Sequence, residues 1–197
     1  MGAGQSAQTL RIIGGKWRGR KVSFTSSADT NPELRVRPTP DRVRETLFNW
    51  LTPVIRGSTC LDLYSGSGIL SMEALSRGAK HVTLIDISTI NINKISDTLA
   101  IFDADSSSFN CIARNVRDWC RQPGDNCYDI IFMDPPFSDN SVYELCRDIN
   151  ENGLVHKDSF VYLELPAPPD SDQLPNNWSL FRQKRAGAVF FNLCKIQ

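Results

Sequence analysis

Nowhere in its 197 residues does the chain hold the roughly 18 consecutive apolar residues that a membrane helix needs, so no membrane role is expected. Only two histidines are present, and the six cysteines (60, 111, 120, 127, 146 and 194) form no C-x-x-C pair. That spacing excludes a zinc ribbon and offers no disulfide framework, so no metal is expected. Several cysteines lie in apolar runs, where the reduced thiol behaves as a small hydrophobe. A cytoplasmic setting follows, with cysteine outside the chemistry. The first residues lack the charged and apolar regions of a secretory signal. Gly2 and Ser6 fit a loose myristoylation pattern, which is short and would anchor only marginally.

Net charge is missing too: 22 basic side chains balance 22 acidic ones. The balance hides an asymmetry. Residues 1–44 carry nine basic groups (Arg11, Lys16, Arg18, Arg20, Lys21, Arg35, Arg37, Arg42 and Arg44) against Asp29, Glu33 and Asp41. A basic arm on an acidic body is the distribution expected where one end docks a polyanion. Taken alone, such a run is more often a solvated face.

Residues 8–24 predict a β-hairpin, with Gly14, Gly15 and Gly19 available for its turn. Lys16, Arg18 and Arg20 would share one face of a strand, because side chains alternate with period two. Trp17 looks exposed and could meet a base. Residues 25–36 are polar and turn-rich and read as a loop. Thr39 is then expected to cap a helix with Pro40 at its first position. Val43, Leu47, Trp50 and Leu51 form that helix's apolar face.

From Thr59 onward, strands (59–64, 81–86, 109–113, 127–133, 159–164) alternate with helices (69–77, 88–101, 115–121, 140–151). This pattern implies an α/β fold built on a parallel sheet covered on both sides. Segments 178–185 and 188–195 flank Ala186 and Gly187 and predict a closing antiparallel hairpin. The expected architecture is Rossmann-like, a seven-stranded and mostly parallel sheet. Residues 1–36 would form the basic arm and 37–197 the main domain.

The first strand ends in Asp62-Leu63-Tyr64-Ser65-Gly66-Ser67-Gly68 and runs directly into a helix. Glycine there lets a ligand approach the backbone at the carboxyl end of a strand. The dinucleotide fingerprint is incomplete, because Ser71 stands where its third glycine belongs. Asp62 sits where methyltransferases keep an acid near the methionine part of S-adenosylmethionine (SAM). Asp86 ends the second strand, placed to accept both hydroxyls of a ribose, with Ile87 beside it. Asn115 and Val116 would lie near the adenine. A nicotinamide dinucleotide stays open, since Asp86 suits either ribose; so does a plain turn with strand-end acids.

The fourth strand ends in Asp134-Pro135-Pro136-Phe137. An exocyclic amine of a nucleobase is a poor nucleophile, its lone pair being delocalised into the ring. The Asp134 carboxylate and the Pro135 carbonyl would accept both of its N–H groups. Two successive prolines stiffen that loop. Phe137 offers a face on which a flipped-out base can stack. Both histidines, His81 and His156, read as structural.

With these motifs in place, the sequence resembles the bacterial 16S ribosomal RNA guanine-N2 methyltransferases of the RsmD type. The resemblance rests on Asp62–Gly68 and Asp134–Phe137, on Arg11-Ile12-Ile13-Gly14-Gly15, on Trp17-Arg18-Gly19-Arg20, on Arg37-Pro38-Thr39, and above all on the string Asp41–Leu51. Leu75-Ser76-Arg77 and Asn177–Leu180 extend it over most of the chain. It implies SAM as cofactor and N2-methylguanine as product. The implied partner is 16S ribosomal RNA within an assembled or assembling small ribosomal subunit, and a monomer is expected. Arg11, Lys16, Trp17, Arg18, Arg20, Lys21 and Arg37 are the expected RNA contacts. Two other readings stay open: N6-adenine methylation of nucleic acid, which the same loop serves, and a non-catalytic RNA-binding assembly factor.

Overall fold

The computed structural model describes residues 7–25, 39–122, 127–135 and 141–197. Strands β1 (Ala7–Arg11) and β2 (Lys21–Thr25) pair antiparallel, Arg11 opposite Lys21. Between them Gly15–Trp17 forms one turn of 3-10 helix. Lys16, Arg18 and Arg20 therefore lie in the connection and do not share a strand face as expected. The cause is local. Gly15 adopts φ +76°, and a Cβ there would collide with the Ser76 carbonyl oxygen, so the chain can pass here only as glycine.

Helix α1 (Asp41–Leu51) follows, burying Val43, Arg44, Leu47, Phe48 and Leu51 at helical spacing. Pro40, not Thr39, occupies the cap position, and Thr39 bonds elsewhere. Strand–helix units then alternate: β3 (Thr59–Leu63), α2 (Ile69–Ser76), β4 (His81–Asp86), α3 (Thr89–Ile101), β5 (Phe109–Ala113), α4 (Val116–Cys120), β6 (Tyr128–Met133), α5 (Val142–Glu151) and β7 (Val155–Leu165). Strands β8 (Trp178–Ala186) and β9 (Val189–Ile196) close the chain.

These seven strands form one sheet in the order β5-β4-β3-β6-β7-β9-β8, parallel except for β9, which runs antiparallel to both of its neighbours. Alternation along each strand divides the core. Cys60, Val82, Leu84, Phe132 and Tyr162 face α1, α2 and α3, whereas Leu61, Leu63, Ile85, Met133 and Leu163 face α4 and α5. All eight residues of α2 are buried. Ile12, Trp17 and Val22 of the arm join the first of these cores. Trp17 is 4% exposed and packs against Phe102 at a centroid distance of 5.3 Å. Its indole is an anchor of the arm, not a surface for RNA.

Buried polar groups fasten the arm to the body. Ile13 N–H donates to Glu73 Oε1, Trp17 N–H to Ser76 Oγ at 2.9 Å, and Ser76 Oγ to the Gly14 carbonyl. The fully buried Arg44 donates from Nη2 to the Arg11 carbonyl at 3.0 Å and to Asp41. Its Nη1 lies 4.0 Å from Glu73, which also pairs with Arg77. Held this way, the arm leaves Arg11, Lys16, Arg18, Arg20 and Lys21 exposed. Among the described residues, no helix is long and apolar enough to cross a membrane, and no cluster of three potential metal ligands occurs.

Candidate cofactor and base site

The carboxyl ends of β3, β4, β6 and β7 converge on one edge of the sheet, where strand order reverses on either side of β3. The turn after β3 is tightly built. Tyr64 takes φ +63°, Gly66 φ +53° and Gly68 φ +71°. Gly68 caps α2 in this conformation, and a Cβ there would stand 2.8 Å from Ile95 Cγ1. Ser65 N–H donates to the Ile85 carbonyl at 2.9 Å, which ties the turn to β4.

Asp62 is 3% exposed and accepts from Ser71, through both the hydroxyl and the backbone N–H. Ser71, standing in the third-glycine place, thus has a positive role. It turns one of the free N–H groups of α2's first turn toward a carboxylate of the protein itself. Burial nonetheless pushes the Asp62 carboxyl up from 3.8 to about 7, with the Asp86 carboxylate adding to the rise. A dinucleotide would place its diphosphate at this helix start, and an acid already held there opposes a second anion.

Asp86 accepts from Gly66 N–H at 2.7 Å on Oδ2, and from Ser88 N–H at 2.8 Å and Asn91 Nδ2 at 3.3 Å on Oδ1. Burial raises its pKa, against those three hydrogen bonds. Ile87, next along, is 63% exposed, an apolar side chain at a strand end with a free face. Asn115 caps α4, accepting from Arg117 N–H at 2.9 Å and Asp118 N–H at 3.2 Å, and Val116 is buried below it. Two carboxylates for hydroxyl and ammonium donors, a turn with bare backbone at Gly66 and Gly68, and an exposed apolar residue fit SAM. The arm borders this edge, since Ser23 and Phe24 of β2 line a crevice with Gly66, Ser67, Asn91 and Ile95.

Asp134 follows β6 and is half-buried, with Pro135 buried behind it. Burial and the carboxylates of Glu164 and Asp62, in that order, hold the Asp134 carboxyl well above the usual range. Pro136, Phe137 and Arg37 lie outside the described residues, as do residues 26–36 of the predicted loop.

Two residues at this edge, Glu164 and Tyr162, went unmarked in the sequence, and a third, Thr39, was expected there only as a helix cap. Glu164 of β7 is 7% exposed; its Oε1 accepts from Tyr162 Oη at 2.7 Å and from Thr39 Oγ1 at 3.2 Å. The available signal was an acid inside the apolar run Phe160-Val161-Tyr162-Leu163-Glu164-Leu165. A carboxylate in such a run needs partners or a purpose.

The family described as conserved hypothetical protein 95 matches residues 10–195. The chain is 40% identical over 192 residues to Ribosomal RNA small subunit methyltransferase D of Escherichia coli K12, covering 98% of this chain and 90% of that one. A solved structure, yhhF from Escherichia coli, superposes with a TM-score of 0.82 at 36% identity, over 96% of this chain and 99% of that one. The solved chain SMU.776, complexed with SAH, shares the fold at 17% identity with a TM-score of 0.65, over 79% of this chain and 48% of that one. The architecture is the Rossmann-like methyltransferase fold.

Proposed function

The chain belongs to the conserved hypothetical protein 95 family, and from that premise we propose that it methylates the exocyclic N2 amine of a guanine in small-subunit ribosomal RNA, with SAM as donor. One observation carries this reading beyond family membership. A half-buried carboxylate, Asp134, stands beside Asp62 at the sheet edge that also presents the glycine turn and Asp86.

In this reading Asp62 meets the ammonium of the cofactor's methionine part, Asp86 its ribose hydroxyls, and Ile87 one face of its adenine, with Asn115 and Val116 alongside. The bound cofactor supplies an electrophilic methyl on a sulfonium. Everything else falls to the chain. The Asp134 carboxylate and the Pro135 carbonyl each accept one N–H of the amine, which holds nitrogen in line and draws electron density onto it. Pro136 keeps the Pro135 carbonyl in place, and Phe137 stacks the flipped base. The neighbouring carboxylates that raise Asp134's pKa also make it the stronger acceptor once ionised. Catalysis is then orientation and electrostatics.

Arg11, Lys16, Arg18, Arg20, Lys21 and Arg37 dock RNA phosphates, in a particle assembled or being assembled in the cytoplasm. The test is transfer of labelled methyl from SAM to small ribosomal subunits from cells lacking this protein, followed by digestion to nucleosides. Label in N2-methylguanosine supports the reading. Label in N6-methyladenosine, or none on either particles or naked RNA, overturns it.

A further inference from the structure

The amine-orienting loop has a second acid beside it, and its geometry addresses which base can enter. The strand registers pair Phe132 with both Asp62 of β3 and Tyr162 of β7, and Met133 with Leu163. One step further along these parallel strands places Asp134 next to Glu164. Both continue the phase of Phe132 and Tyr162, which face the α1 side of the sheet, the side that Asp62 shares with Cys60. Adjacent strands lie about 4.8 Å apart. Glu164 is thus the nearest neighbour of Asp134 across the sheet, and their charges interact.

Its carboxylate is held at one end. Oε1 takes both the Tyr162 and Thr39 hydroxyls, whereas no hydrogen bond among the described residues reaches Oε2. With Oε1 clamped by two hydroxyls, Oε2 is the oxygen that, among the described residues, is left to accept from a base entering at this edge. We infer that Glu164 is the residue that selects guanine, its Oε2 accepting the ring N1–H while Asp134 and Pro135 hold the adjacent N2 amine. This rests on the guanine-N2 reading above and deepens it.

The chemistry discriminates sharply. Guanine presents donors at N1 and N2 side by side, and two neighbouring carboxylates match them. Adenine and cytosine present an amine beside an unprotonated ring nitrogen, an acceptor that would face the Glu164 carboxylate lone pairs. A site built to take a hydrogen bond from its substrate rejects an analogue that lacks the donor far more strongly than a merely shaped pocket does. Thr39 and Tyr162 act through Glu164: by holding Oε1 they fix its rotamer.

The decisive substrate is 2-aminopurine, which keeps the exocyclic amine at C2 but has no proton on N1. Once nucleoside mapping has located the methylated guanosine, small subunits are reconstituted with RNA ligated to carry either guanosine or 2-aminopurine there. The wild-type protein should methylate guanosine at least ~10²-fold faster in kcat/KM. In Glu164→Gln the amide can present N–H2 to the ring nitrogen, so the preference should fall below ~10-fold while SAM affinity stays within ~3-fold. Glu164→Asp should keep the preference at reduced rate. Equal wild-type rates on the two bases, a comparison that needs no variant, would overturn the role of Glu164 and leave N2 methylation standing. Methylation of neither base would overturn the guanine-N2 reading itself, and this inference with it. A Glu164→Gln protein that is slower but equally selective would reduce Glu164 to a packing role.

Discussion

Replacing Asp62 by asparagine should stabilise the protein at alkaline pH and cost it cofactor affinity. The Asp62 carboxyl is buried, and its pKa stands at about 7 against 3.8 in an ordinary environment. At ~1.4 kcal/mol for each tenfold change in proton affinity, keeping this group ionised in the folded protein costs about 4 kcal/mol. Because the folded-state pKa of an acid is raised here, the group's contribution to stability is intact below the unfolded pKa near 3.8. It is lost as pH climbs through about 7. Asparagine removes the ionisation and still accepts from Ser71. It introduces an N–H2 which, left without a partner, costs ~1–3 kcal/mol. The variant should therefore be more stable than wild type by ~1–3 kcal/mol at pH 9, and less stable at pH 4. Thermal unfolding across that range should show the two melting temperatures crossing, with the variant a few degrees higher at pH 9, at ~2–4 °C per kcal/mol for a chain of this size. A difference in melting temperature that does not change with pH would refute the burial argument for Asp62.

Other expectations follow from the same geometry. Gly68→Ala and Gly57→Ala both place a side chain at positive φ, but only the former meets a neighbour, Ile95 at 2.8 Å. Gly57→Ala should cost ~1–2 kcal/mol and Gly68→Ala measurably more in chemical denaturation, with weaker SAM binding besides. Arg44→Ala leaves Glu73 buried with a lost partner and frees the Arg11 carbonyl. A loss of ~3–5 kcal/mol is expected, with faster amide exchange in residues 11–17 as its local signature. If the exposed arm side chains dock phosphates, RNA affinity should fall steeply with salt. Arg18→Ala or Arg20→Ala should each flatten the log–log slope by ~0.7–0.9. An affinity indifferent to salt would remove the arm from RNA recognition.

Much of the sheet was legible because its strands are short apolar runs between turn formers, and each was placed to within a residue or two except β7. There the observed strand begins at Val155, four residues early, through an irregularity in its pairing with β6. The arm was misread for a physical reason. Period-two reasoning presumes a continuous strand, and Gly14-Gly15 permits a 3-10 turn that inverts the pattern and buries Trp17. Neither the ligands of Arg44 nor the clasp of Ser76 on the arm could be read from the sequence, since both join segments about 30 to 60 residues apart. Asp62, Gly68 and Asp86 were legible because a strand-end acid and a glycine turn are local features. Glu164 and Thr39 were not, because their significance comes from a contact between residues 125 apart in the chain.

For Asp134 as the proposed ionised acceptor of the amine, the decisive assay is single-turnover methyl transfer by Asp134→Asn. The assay would use preformed protein–cofactor complex and saturating small subunits, over a range of pH. Wild-type rates should rise with pH through a transition above the ordinary carboxylate range. The variant should be slower by ~10²–10³-fold with that transition gone, and SAM and RNA affinities should stay within a few-fold. Transfer by Asp134→Asn at near wild-type rate, or a wild-type pH profile with no such transition, would contradict that role.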